Sequence, residues 1–129
     1  MMNETTAAVL VLMGVPLAVL LYGVWAWYKP AEWKKSMRMG YHSRRAERTP
    51  EHWMVAQRMY ALMNMRFGGV WCVLAVVETV LFWKNILTPG VAIAVGCVQA
   101  AVYYLVVGYR MEKKLADRFD EADALAGRL

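Results

Sequence analysis

Apolar positions run along this chain in three unbroken stretches. No charged residue falls between Thr5 and Tyr28 or between Asn85 and Tyr109, and Glu78 is the sole charge between Phe67 and Trp83. Each stretch approaches the roughly 20 apolar residues that a helix needs to cross ~30 Å of hydrocarbon. The pattern predicts membrane-spanning helices at about 7–28, 67–83 and 89–109. Breaks in the pattern place the ends. Lys29-Pro30 closes the first stretch behind an interfacial cluster of Trp25, Trp27, Tyr28 and Trp33, and Pro16 in its middle predicts a kink. Thr49-Pro50-Glu51 reads as a helix start, with a capping hydroxyl, a proline suited to the first position and an acid favoured by the helix dipole. Thr88-Pro89-Gly90 opens the third stretch in the same way.

Two continuations stand open after Pro50. One helix runs straight into the second span, or an amphipathic cytoplasmic segment lies on the membrane surface and bends inward at Gly68-Gly69. In the continuous helix Trp53, Tyr60, Met63 and Phe67 share a face, and Gln57, Arg58, Asn64 and Arg66 stay near the headgroups. Ala92, Gly96 and Ala100 form a small-residue stripe for close helix packing, against Gly14 and Ala18 of the first span or against a second copy in a homo-oligomer. Beyond the span, Met111, Leu115, Phe119, Ala122, Ala126 and Leu129 recur at helical spacing among mixed charges. This amphipathic tail, 111–129, lies on the headgroups, against the basic loop, or in a self-associating coil.

Charge sets the direction of the spans. The segment from Lys29 to Arg66 carries nine Lys and Arg and the tail from Arg110 carries five, against Lys84 alone in the short turn. The positive-inside rule gives an outside N-terminus, an inside loop, an outside turn and a cytoplasmic C-terminus. At 129 residues, 60% hydrophobic and 19% charged, the chain reads as one all-α integral membrane domain, 1–110, followed by the tail. The net charge of +5 is explained by anionic headgroups beside the spans and does not call for nucleic acid. The N-terminal stretch has no basic leader, is long for a signal and ends in bulky aromatics, so it reads as a retained helix. Cys72 and Cys97, both within spans, read as packing residues. Neither they nor His42 and His52 have metal-ligand spacing, and no cofactor motif is present.

The loop carries the one motif. Gly40-Tyr41-His42-Ser43, then Thr49, Glu51, Trp53 and Ala56-Gln57, resembles the signature of the SdpI/YfhL family of small bacterial membrane proteins. That signature has a Gly, an aromatic or aliphatic residue, Arg and Thr, then Ser or Asn, Glu, Trp and an Ala-Asn or Ala-Gln pair. His42 stands where Arg is usual, Ser43 where Thr is, and Glu47 where an apolar residue is common. The family's motif also lies between the first and second of three spans. The resemblance implies a non-enzymatic protein of the bacterial cytoplasmic membrane, acting in immunity against a toxic peptide or in membrane signalling through a regulatory protein. Read without it, Gly40 supplies a turn, Glu51 favours a helix N-terminus and Trp53 anchors an interface.

Glu78 is the second candidate. A carboxylate within a span is costly in lipid, so it faces other helices or water. Either it is protonated and bonds to Thr79 or to Gln99 on the third span, or it sits near the outer headgroups. If functional, Glu78 and Gln99 line the route of a small oligomeric transporter or ion pathway, the alternative to a partner-binding protein. No nucleophile, base and orienting residue fall at a recognisable spacing, so no catalytic residue is assigned.

Overall fold

The computed structural model describes residues 3–33 and 40–127. The basic positions Lys34, Lys35 and Arg38 of the loop, and Leu129 of the tail stripe, lie outside the described residues. Those described form three long helices, Glu4–Tyr28, Pro50–Trp83 and Pro89–Leu125, each long and apolar enough to cross a membrane. Asn3, Thr49 and Thr88 cap them, each side-chain oxygen accepting from the backbone N–H three residues on. Pro50 and Pro89 occupy first positions. The second helix ends where Asn85 takes a left-handed φ of 61°, so that Asn85 N–H reaches Phe82 O and Ile86 N–H reaches Leu81 O.

Pro16 is accommodated without breaking the first helix. The proline has no N–H to give to the carbonyl of Leu12, and the turn before it, Leu10–Gly14, is widened into a π-helix. At Gly68-Gly69 the second helix continues without interruption, so the continuous reading of Pro50–Trp83 holds and the break into a separate surface segment does not.

At 1.5 Å per residue the second and third helices, of 34 and 37 residues, extend about 51 and 55 Å, well beyond ~30 Å of hydrocarbon. Their adjoining ends meet at the Lys84–Thr88 turn, and their other ends carry most of their basic residues. The larger core lies there, built from Ala46, Trp53, Ala56, Met63, Val107, Met111, Leu115 and Phe119. A smaller one near the turn joins Ala8 and Leu12 to Phe82 and Ala92. Between them the helix flanks are clothed in exposed valine and leucine, including Val70, Val73, Val77, Val98 and Leu105.

Glycines set the closest approaches. A Cβ on Gly23 would stand 2.8 Å from the backbone N of Met65 and 3.0 Å from Ala61 O; one on Gly68 would stand 3.1 Å from Leu20 N. These two residues bring the first and second helices nearly into backbone contact. On the third helix a Cβ at Gly96 would lie 2.2 Å from Val11 Cγ1. The Ala92–Gly96 part of the stripe therefore packs on the first helix, at Ala8, Val11 and Leu12 rather than at Gly14 and Ala18.

Candidate functional site

The segment 40–49 is held down by side chains of the second helix. Gly40 has φ 91°, a conformation that side-chain-bearing residues rarely adopt, and a Cβ there would come within 2.1 Å of Gln57 Oε1. This close approach lets the Gln57 amide grip the next residue from both sides: Tyr41 N–H donates to Oε1 and Nε2 donates to Tyr41 O, each at 2.8 Å. Trp53 is fully buried and donates from its indole to Ala31 O at 2.8 Å, tying down the exit of the first helix. Ser43 opens a turn, its Oγ accepting from Ala46 N–H. His42 lies edge-on to Trp53, with Nδ1 2.7 Å from Glu47 Oε1 on the exposed surface. Thr49 caps the helix. Glu51 stands exposed in its first turn, outside this clasp.

The third helix closes over the clasp. Arg45 reaches Asp120 with Nε and Nη2 at 3.0 and 2.9 Å and Glu112 with Nη1 at 3.0 Å. Glu112 also accepts from the Tyr41 hydroxyl at 2.5 Å. Arg48 donates to Asp123 at 2.7 Å. His52 stacks on Phe119, ring centres 3.9 Å apart, and places Nε2 2.8 Å from Asp123 Oδ2. These contacts differ in weight. The Arg45 pairs are about one-third exposed, so solvent screens them and they hold weakly. Asp123 is fully buried, and removing one partner of such a group costs ~3–5 kcal/mol, so it is the firmer tie.

The same contacts perturb titration. Burial, then the bond to the Glu112 carboxylate, holds the Tyr41 hydroxyl above its ordinary range. Burial alone would raise Glu112, but hydrogen bonds from Tyr41, Ser43 and Arg45 outweigh it and hold the carboxyl below its usual range. Asp120 is held low by its bonds to Arg45 and then to Arg48.

Thr49, His52 and Asp123 form a hydroxyl–imidazole–carboxylate chain, the connectivity of a proton relay. Thr49 Oγ1 is already accepting from His52 N–H as the helix cap, and the imidazole and carboxylate are 1% and 0% exposed. The geometry is that of a brace.

Beside the clasp, side chains of the three long helices border an open cleft of about 760 Å³. Val15, Val19, Tyr60, Trp71, Tyr103 and Val107 line it, and Gly40–Ser43 with Glu112 close its loop end. Asn64 is buried and accepts from the Tyr103 hydroxyl at 2.6 Å, and Gln57 is likewise buried.

Glu78 and Gln99 lie far from the clasp and meet each other, Gln99 Nε2 donating to Glu78 Oε1. Thr79 donates to Ala75 O on its own helix, so of the two partners expected for Glu78 it is Gln99 that is engaged. Cys72 and Cys97 are free thiols. Among the described residues no three His, Cys, Asp or Glu side chains are grouped as metal ligands.

The structure thus brings Gly40, Tyr41, His42, Ser43, Thr49, Trp53 and Gln57 together. It adds five residues that the sequence reading passed over: Arg45, Arg48, Glu112, Asp120 and Asp123. Opposite charge on loop and tail was the available signal. No protein-family model matches the chain, and neither the curated proteins nor the solved structures contain a significant match.

Proposed function

We propose that this chain is a multi-pass protein of the bacterial cytoplasmic membrane, with its N-terminus outside and its C-terminus cytoplasmic. Its basic end is a recognition surface for a peptide or a regulatory protein. The role is non-enzymatic, immunity against a toxic peptide or membrane signalling of the SdpI/YfhL kind. The observation that supports this most is the clasp. Of the residues that carry the resemblance, Gln57 holds Tyr41 by two hydrogen bonds beside Gly40 and Trp53 ties down Ala31, while His42 and Glu47 remain exposed. Exposed aliphatic side chains along three long helices support the membrane setting.

A second reading, a small oligomeric transporter or ion pathway, draws on the buried Glu78–Gln99 pair. The two are separated by assaying protection, or retention of the regulator at the membrane, in cells expressing alanine variants. Trp53→Ala and Gln57→Ala dismantle the clasp and should lower partner binding by about tenfold or more, the equivalent of ~1.4 kcal/mol, with membrane insertion retained. Glu51→Ala, outside the clasp, should lose less. Full activity in both clasp variants would leave the motif without a role in recognition.

A further inference from the structure

The cleft beside the clasp differs in chemistry from the rest of the basic end. Its walls include Tyr41, Tyr60, Trp71, Tyr103, Tyr104 and Tyr109, so that most of the chain's seven tyrosines gather on one cavity. The Tyr41 and Tyr60 ring centres lie 5.3 Å apart, and Trp71 stacks on Tyr103 at 5.0 Å. Aromatic faces carry negative charge density and attract a cation held within about 6 Å of the ring centre.

The formal charge on the lining has the same sign. Among the described residues no Lys or Arg lines the cleft, although the chain holds fifteen, and the carboxylate there is Glu112. Arg110 lies instead over the Phe67 ring, Lys113 and Lys114 are exposed outside the lining, and the His42 imidazole meets Glu47. Burial opposes ionisation of Glu112, but its hydrogen bonds win and hold the carboxyl below the usual range. Arg45 does not cancel that charge outright. It is shared between Glu112 and Asp120, and Arg48 between Asp120 and Asp123, so two guanidiniums serve three carboxylates. His52 meets Asp123 and not Glu112.

Space is kept open beside the acid. Tyr104, Gly108 and Glu112 recur every four residues on one face of the third helix, and all three line the cleft. A Cβ built on Gly108 would meet nothing within 4 Å, so the turn between the tyrosine and the carboxylate is bare. A guest that is apolar over most of its surface and carries one positive charge matches both features. A neutral hydrocarbon chain would gain nothing from the acid, and an anion would be repelled by it.

We propose that the cleft binds an apolar organic cation, its charge between Glu112 and the tyrosine rings and its body against Val15, Val19 and Val107. The site does not rest on the partner-binding reading and stands or falls apart from it.

The test uses the full chain purified in nonionic detergent micelles, with tetraphenylphosphonium as the cation and tetraphenylborate as an anion of the same shape. Equilibrium dialysis against protein-free micelles reads saturable binding. The phosphonium should saturate at one per chain and bind at least about tenfold more tightly than the borate. Glu112→Gln, which removes the charge and keeps the shape, should weaken phosphonium binding about tenfold. Gly108→Leu builds a side chain into the bare turn and should abolish saturable binding, with circular dichroism and elution unchanged. Equal binding of the two ions by the wild-type chain would mean that the cleft sorts by apolarity alone, and would overturn the proposal. So would the absence of saturable phosphonium binding to the folded wild type, or binding that is undiminished in a folded Gly108→Leu. The comparison of the two ions needs no variant, so it stands even if Glu112→Gln loosens the clasp.

Discussion

Gly40→Ala puts the clasp to its sharpest test. The new methyl group would be built 2.1 Å from Gln57 Oε1, and the backbone would have to hold φ near 91° with a Cβ present. The left-handed conformation costs an L-residue ~1–2 kcal/mol. The amide of Gln57 is the flexible partner, so it would yield and surrender its two 2.8 Å bonds to Tyr41, worth ~0.5–1.5 kcal/mol each. The sum is about 2–5 kcal/mol. In a Gln57→Ala background the collision is already gone and the conformational part alone remains. The two substitutions should therefore couple by about 1–3 kcal/mol. Amide hydrogen exchange at Tyr41 reads this locally, since its N–H is the one that Gln57 accepts, and protection should fall by about 30-fold or more. Unchanged protection in Gly40→Ala, or strict additivity in the double variant, would refute the clasp.

Gly23→Ala drives a methyl against the backbone of Met65 and Ala61, which cannot move aside as a side chain does, and should destabilise the folded chain by ~1–3 kcal/mol in thermal unfolding. Gly69→Ala meets nothing within 4 Å and should be neutral or stabilising by ~0.5–1 kcal/mol. Asp123→Ala takes the carboxylate from His52 and leaves Arg48 only its longer contact to Asp120, and should loosen the end of the third helix from the loop at a cost of ~1–3 kcal/mol, seen as accelerated exchange over 112–123. Acid should loosen the same junction. Glu112 and Asp120 have folded-state values lowered from the ordinary carboxylate range, so their contribution is complete above ~4 and is lost as pH falls through the lowered values. Exchange in the loop that is flat from neutral pH down to strong acid would argue against that coupling.

The three long helices were legible because their signal is local: uncharged runs of sufficient length, bounded by Thr-Pro starts at Thr49-Pro50 and Thr88-Pro89. The unbroken passage through Gly68-Gly69 was not, because glycine permits a break without requiring one. What the glycines do is set by neighbours on another helix, and Gly23 and Gly68 show no pattern of their own in the sequence. The docking of the third helix was obscured for a different reason. Arg45 and Arg48 stand near a span, where headgroups give basic residues a sufficient explanation, and their acids lie about 70 positions further on. In the tail, Met111, Leu115 and Phe119 do face the core. The next residue in that register is Asp123, four positions on, whereas Ala122 and Ala126 are exposed. An apolar stripe could not announce an acid as its continuation, and the acid is there because His52 and Arg48 meet it.

In the proposed topology three crossings put the clasp and the end of the third helix together on the cytoplasmic side. This arrangement is tested most directly by single cysteines at Asn85 and Asp117, with Cys72 and Cys97 replaced by Ser, and a membrane-impermeant maleimide applied to right-side-out and inverted vesicles. Position 85 should label in right-side-out vesicles alone and position 117 in inverted vesicles alone. Labelling of position 117 from the outer face would contradict it.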